Sequence, residues 1–451
     1  MIQPQVFKAN DIRGLVGGAA PEWDIEGARA IGAAFAKSFD LAGAEFVLGR
    51  DMRAGGRELS LAFADGAMSQ GASVLDVGLA STDQLWFASG HTRLPGVQFT
   101  ASHNPAGYNG VKFCLPDAAP ITPELMARIT ELAYLELGPV AERGGYRETD
   151  LLAAYAAHLH SLVDLTGMRP LKVVVDAGNG MAGHTTPAVL GPLDVEVVGL
   201  FTELDGSFPN HPPNPLEPAN LVDAQAAVRE HGADLALVFD GDADRCFIID
   251  EHGQVVSPSV VTALIAQAEL AREVGGVIVV NTITSRTVAE VVAAAGGRVV
   301  ISAVGHTRMK ALMAQHHAVF GGEHSAHYYF REFWGADTGM LAGLHVLALM
   351  GRTGRPISEL AAELPYYAAS GEINSTVDDP KAIMAEVAAA FADRGTIDIT
   401  DGLLVTGADW WVSVRESNTE PLLRLNVEAR DDQTVAALRD EALAIIRKDR
   451  A

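Results

Sequence analysis

The chain has 451 residues, 48% apolar and 20% charged, which supplies apolar surface for several cores and excludes a disordered chain. Its 33 basic and 57 acidic residues give a net charge of −24, which argues against a nucleic-acid or anionic-membrane surface. An anionic small molecule remains compatible, because screening over about 8 Å leaves only the local pocket to count.

The opening MIQPQVFKAND lacks the basic-then-apolar pattern of a signal peptide. Short β-like runs then alternate with longer Ala-rich helical segments: 46–51 (FVLGRD), a helix through Ala64, 73–79 and 96–101. That alternation predicts parallel strands connected by helices. It restarts at LKVVVDAG (171–178) and runs through 235–242, then restarts at 276–282 and runs through 298–305. Three such runs predict repeated α/β modules. Near 366–375 the texture changes, and the remainder reads as a smaller α+β piece. Asp379-Pro380 starts a helix there and Gly395 follows its end. Strands at 410–415 and 422–430 flank a loop. In the second, Leu423, Leu425, Val427 and Ala429 alternate with Arg424, Asn426, Glu428 and Arg430, which predicts one buried face. Four domains are expected, 1–150, 151–256, 257–370 and 371–451. Cys114 and Cys246 stand in no metal-ligand spacing, and no apolar run reaches the roughly 18 residues of a membrane span, so a soluble, cytoplasmic protein is expected.

Asp240, Asp242 and Asp244 lie in FDGDADR, directly after an apolar run. In extended chain, positions i, i+2 and i+4 face one side. Converging carboxylates would repel by about 4 kcal/mol per pair at about 4 Å and an effective dielectric of about 20, so they must take up protons or bind a cation. Hard oxygen donors favour Mg²⁺ or Ca²⁺. A solvated acidic turn is the ordinary alternative. An EF-hand fails: Glu251 fits its last ligand position, but Arg245 stands where the sharp turn needs Gly. Arg245 instead sets a fixed cation beside the carboxylates, which suits a phosphoryl group.

Ser102, in TASHNPAGYNGVKF, falls in a loop between His103 and, further on, Lys112. A serine satisfying a turn is common; its company of basic groups and a triple Asp raises it. RESNTEP (415–421) gathers Arg415, Ser417, Asn418 and Thr419, a guanidinium fork with hydroxyl and amide groups that suits a phosphate dianion. In GGEHSAH (321–327), Glu323 and Ser325 put a carboxylate and a hydroxyl one residue apart, a pair that could bind vicinal sugar hydroxyls. Arg13, Arg50 and Arg53 stand near strand ends and read individually as structural. Gly178, Gly180 and Gly183 form G-x-G-x-x-G after a strand, with Glu203 twenty residues further on, yet no other feature calls for hydride transfer.

TASHNP, DGDADR, GEHSAH and RESNTEP occur in this order, and together they resemble the α-D-phosphohexomutase family over essentially the whole chain. The resemblance implies a heart-shaped α/β architecture of four domains: three related α/β units and a C-terminal α+β domain around a central cleft. It implies that Ser102 carries a phosphoryl group and that Asp240, Asp242 and Asp244 hold Mg²⁺, with the Ser102 phosphate completing the site. Glu323 and Ser325 would read sugar hydroxyls, and Arg415, Ser417, Asn418 and Thr419 would clamp the non-reacting phosphate. Lys112, His103 and Arg13 resemble the basic groups around the transfer site, with Lys112 as general acid/base, and His306 resembles a loop that fixes sugar orientation. The implied partners are mannose or glucose 1- and 6-phosphates and a 1,6-bisphosphate activator, acting on a monomer or homodimer. The GEHSAHYYF loop is most similar to bacterial phosphomannomutases; a phosphoglucomutase or a dual-specificity enzyme is the alternative.

Overall fold

The computed structural model describes residues 1–416 and 422–448. Four sheets follow one another along the chain. In the first, Glu45–Arg50 pairs in parallel with Ser73–Leu79 and with Gly96–Phe99. Gly96–Phe99 then reverses into the antiparallel strand Tyr108–Cys114. The second sheet repeats the plan: Leu171–Asp176 pairs in parallel with Val195–Leu200 and Leu235–Phe239, and Leu235–Phe239 reverses into Cys246–Asp250. So does the third, with Val277–Asn281, Arg298–Ser302 and Phe320–Gly322, the last reversing into Tyr328–Phe330. The apolar runs at 46–51, 73–79, 96–101, 171–178, 235–242, 276–282 and 298–305 all become strands of these sheets. Their inner members are buried on both faces, as parallel strands covered by helices must be.

The reversal positions the chemistry. In each of the three sheets it lies at the carboxyl end of the third parallel strand, the end where open α/β sheets bind ligands. The connection there is residues 100–107 in the first sheet, 240–245 in the second and 323–327 in the third. These carry Ser102, the three aspartates and Glu323.

The fourth sheet is antiparallel throughout and is backed by the helices Pro380–Phe391 and Asp432–Ile446. Asp379 caps the first of these by accepting from Ala382 N, and Pro380 fills its first turn. Leu423, Leu425, Val427 and Ala429 are buried, as their alternation predicts. The opposite face differs from expectation: Asn426 and Glu428 are buried too. That face abuts the third sheet's domain, where Arg286 N donates to Glu428 Oε1 at 2.9 Å, alongside Trp411 Nε1 at 2.9 Å.

One apolar cluster runs unbroken through the first three sheets, from Val47 and Trp86 through Val173 and Phe239 to Phe320 and Leu347. The fourth sheet has its own cluster, confined to residues between Ala368 and Ile446. Three domains therefore share a core while the last is joined to them by other means. At the three-domain junction a buried carboxylate, Asp83, accepts from Tyr155 Oη and Thr338 Oγ1, each at 2.7 Å. Burial pushes its pKa up to about 6 despite the hydroxyls donating to it.

Candidate active site

Ser102 sits in a tight turn with φ of 49°, a left-handed conformation that only a well-supported loop imposes on a non-glycine residue. Its N–H donates to Thr100 Oγ1 at 2.8 Å. Arg53 supplies the rest of the support. Its guanidinium donates to the carbonyls of Ser102 and Asn104, both at 2.6 Å, and to those of Pro105 at 2.9 Å and Tyr108 at 3.2 Å. Read from sequence as structural, Arg53 is the staple of the serine loop. Arg13 donates to Asn104 Oδ1 at 2.8 Å and so borders the same loop.

The turn delivers Ser102 Oγ to within 3.0 Å of Asp240 Oδ2, across 138 residues of sequence. Backbone proximity makes this possible: a Cβ on Gly241 would stand 2.6 Å from the Ser102 carbonyl oxygen. Gly180 serves the same packing, while Gly178 faces His211 and Gly183 faces the Thr202 carbonyl. A Cβ on Gly180 would stand 2.6 Å from Gly241 O, and Met181 N donates to that oxygen at 2.9 Å. Gly180 thus lets the segment before helix Ala182–Leu190 lie against the aspartate loop.

All three aspartates are buried, and each has a cation against it. Arg245 Nε and Nη2 both reach Asp240 Oδ2 at 2.9 Å. Lys112 Nζ lies 2.8 Å from Asp242 Oδ2 and 2.7 Å from Asp244 Oδ2. Burial pushes Asp240 up to about 7, against the pull of Arg245. Burial works against ionisation of Asp242 as well, but Lys112 beside it wins and holds that carboxyl well below the usual range. Lys112 shifts in step: burial disfavours the ammonium, and Asp242 and Asp244 more than restore it, so it stays protonated. Asp242 Oδ2 also accepts from Thr82 Oγ1 at 2.6 Å and Thr100 Oγ1 at 3.2 Å.

These bonds use one oxygen each of Asp242 and Asp244. Their Oδ1 atoms are buried without a partner, an expensive arrangement unless a ligand completes it. One oxygen from each of the three aspartates lies within 4.8 Å of the others. An all-carboxylate set with orphaned oxygens and no sulfur fits a hard divalent cation.

His103 Nδ1 lies 3.3 Å from Ser102 Oγ. Burial, with Arg245 and Arg13 nearby, holds its pKa well below the usual value, so the ring faces the hydroxyl uncharged. His306 is driven down to about 4 by burial, with Asp337 opposing. Glu323 is buried and satisfied within its own domain: Oε1 accepts from Asn281 Nδ2 at 3.1 Å and Gly305 N at 3.3 Å, and Oε2 from Tyr329 Oη at 2.7 Å. Ser325 is half-buried on the same loop. Arg415 lies in the fourth sheet, where its Nη1 meets Asp401 Oδ2 at 3.1 Å. Ser417, Asn418 and Thr419 lie outside the described residues.

Sequence reasoning missed Thr82, Thr100 and His327. His327 Nδ1 lies 3.1 Å from Asp337 and 4.0 Å from Asp244, and these two carboxylates raise its pKa against burial. Its signal was present, since it closes the GEHSAH motif. Asp244, His327 and Asp337 could group around an ion by position alone. However, Lys310 Nζ already occupies Asp337 Oδ1 at 3.0 Å, so the group reads as an ion-pair network backing Asp244.

Serine, carboxylate trio and buried cations thus meet where two α/β domains join. Comparison with known proteins gives the family. The four domains described for phosphoglucomutase/phosphomannomutase match residues 4–135, 153–253, 257–367 and 372–445: α/β/α domains I, II and III and the C-terminal domain. A phosphomannomutase of Salmonella montevideo is 41% identical over 438 residues, covering 94% of this chain and 95% of that one. The phosphomannomutase of Escherichia coli K12 is 39% identical over 450 residues, 97% of each. The crystal structure of a phosphoglucomutase/phosphomannomutase family protein from Burkholderia thailandensis superposes with a TM-score of 0.90 at 32% identity, covering 100% of this chain and 99% of that one. The N-acetylphosphoglucosamine mutase of Aspergillus fumigatus, solved with glucose 1,6-bisphosphate, shares the fold at a TM-score of 0.63 and 13% identity, covering 99% of this chain and 95% of that one. The chain belongs to the phosphoglucomutase/phosphomannomutase family. It is a phosphohexomutase, an isomerase that works by phosphoryl transfer.

Gly241→Ala tests the packing of the two loops. Its methyl must push Ser102 O away, so kcat should fall by about 10² or more, with the far-ultraviolet circular dichroism unchanged. Near-normal kcat would show that the approach of the loops is dispensable.

Proposed function

We propose that this phosphohexomutase interconverts mannose 6-phosphate and mannose 1-phosphate through a phosphoserine at position 102 and a hexose 1,6-bisphosphate intermediate. The 3.0 Å contact of Ser102 Oγ with Asp240, beside two orphaned carboxylate oxygens and two buried cations, carries the reading. Full-length relatives at about 40% identity that bear the name phosphomannomutase support the choice of sugar. The fold relative that holds glucose 1,6-bisphosphate supports the intermediate. We read the chain as four domains divided near 150, 256 and 370. The two buried thiols, Cys114 and Cys246, accord with the reducing cytoplasm as its compartment.

Uncatalysed phosphate-monoester reactions are slow enough that enzymes accelerate them by up to about 10²¹, and positioning with charge neutralisation must supply nearly all of it. Asp240, Asp242, Asp244 and the Ser102 phosphate would hold Mg²⁺, which supplies neutralisation of the oxygens of the transferring group when bound. Arg245 adds a fixed positive charge at the same place. His103, uncharged, orients Ser102 Oγ. Lys112, kept protonated by Asp242 and Asp244, serves as general acid toward the oxygen that leaves and as base once that proton has moved.

Two phosphates must take turns at Ser102, so the bisphosphate has to reverse without escaping. Arg415, with Ser417, Asn418 and Thr419, would grip whichever phosphate is distal. Glu323 and Ser325, with His306 beside Gly305, would hold the sugar in either orientation, and Arg13, at the serine loop, would add positive charge at the transfer point. The separate core of the C-terminal domain allows it to close over the cleft and exclude water from the phosphoserine.

Ser102→Ala should remove phosphoryl incorporation, read by intact mass after exposure to a hexose bisphosphate, together with nearly all turnover. Retention of more than a few per cent of activity would overturn the assignment. Sugar preference is tested directly on the two hexose 1-phosphates. kcat/KM for mannose 1-phosphate should exceed that for glucose 1-phosphate, and the reverse order would favour a phosphoglucomutase.

A further inference from the structure

Among the described residues the C-terminal domain shares no apolar cluster with the other three, and polar contacts tie it to them. One group of these lies away from the cleft: Arg286 donates to the carbonyls of Gly407 and Ala408, and Arg430 pairs with Glu290. A different contact reaches the proposed phosphate grip. Asp401, in the turn between strands Thr396–Asp398 and Leu403–Thr406, presents Oδ2 to three donors. These are Arg415 Nη1 at 3.1 Å, Thr282 Oγ1 at 3.0 Å and Val304 N at 3.0 Å. Thr282 and Val304 belong to the third sheet's domain, and Arg415 to the fourth. The pair is largely shielded, with side chains 9% and 17% exposed, so solvent weakens it less than a surface ion pair.

The placement of the two partners in the third domain gives the contact its meaning. Thr282 follows Asn281, and Val304 precedes Gly305. Asn281 and Gly305 are the two groups that donate to Glu323 Oε1. Segments 281–282 and 304–305 are therefore held by Glu323 through one residue and by Asp401 through the next. The turn is shaped to make this reach: Gly402 has φ of 77°, and a Cβ there would stand 2.7 Å from Val414 O and 3.0 Å from Arg415 Cα. The turn thus lies directly against the strand that carries Arg415.

We infer that Asp401 is a positioning residue that locks the phosphate-gripping Arg415 to the two segments that seat the sugar-reading Glu323. The inference rests on the substrate roles proposed above for Arg415 and Glu323. Asp401 acts through Arg415, Thr282 and Val304. It fixes the distance between grip and sugar loop when the C-terminal domain is closed against the third, so that the bisphosphate meets the same spacing in both of its orientations.

A double-mutant cycle on the full chain tests this, with kcat, KM and the thermal midpoint measured for Asp401→Asn, Arg415→Lys and the pair. Asp401→Asn should raise KM for hexose 1-phosphate about tenfold, with kcat changed less than about threefold. In the Arg415→Lys background the same substitution should add less than about threefold, because the partner it orients is already altered. Thr282→Val, which spares the Asp401–Arg415 pair, should raise KM by about threefold, and it carries the test if Asp401→Asn does not fold. Effects that multiply independently, or a lowered midpoint with KM unchanged, would overturn the inference alone. An unchanged KM in Arg415→Lys would instead overturn the clamp reading, and this inference with it.

Discussion

Three carboxylates buried side by side are stable only if positive charge shares the space. Here Lys112 spans Asp242 and Asp244 while Arg245 grips Asp240, which sets two cations against three potential anions. The balance is incomplete, and two buried carboxylate oxygens, Asp242 Oδ1 and Asp244 Oδ1, accept no hydrogen bond. That deficit is what a divalent ion and a phosphoryl group would fill. The rest of the site follows from keeping it in place. Thr82 and Thr100 pin Asp242, and Arg53 holds the serine loop. The glycines at 180 and 241 let three backbone segments approach more closely than any side chain would permit.

The topology explains why these pieces meet. Each of the first three sheets ends its parallel run with a reversal, and each reversal carries one functional loop. Three copies of one plan, fused through a common core, turn the carboxyl ends of their strands toward the cleft. The fourth sheet contributes from a separate core, which gives the assembly three members bound by apolar packing and one joined through polar contacts. A reaction in which the intermediate must reverse while bound needs both. On the proposed function, a fixed transfer point would hold serine and carboxylates, and the separately cored C-terminal domain would be the wall that retains the bisphosphate.

Much of the α/β layout was legible in the sequence because apolar runs of strand length, bounded by Gly and Asp, alternate with Ala-rich helical segments. The helix capped by Asp379 and begun by Pro380 is a case where local chemistry alone sufficed. The buried polar face at Asn426 and Glu428 was not legible, since alternation reports one sheet's own core and is silent about a neighbouring domain that covers the other face. Loop residues with convergent charge stood out as candidates: Ser102, the aspartates and Lys112. Their supports did not. Thr82 meets Asp242 across 160 residues, and Arg53 meets the Ser102 loop across about fifty, contacts that leave no periodic trace. Asp401 looks from the sequence like an ordinary Asp-Gly turn.

The central claim is that the aspartate trio and Ser102 share one divalent ion. Anomalous diffraction from crystals soaked in Mn²⁺ tests it most directly. The account predicts a single strong peak about 2.1–2.2 Å from oxygens of Asp240, Asp242 and Asp244 and from the oxygen at Ser102 or its phosphate. A peak elsewhere, or saturating metal with none between the two loops, would contradict it.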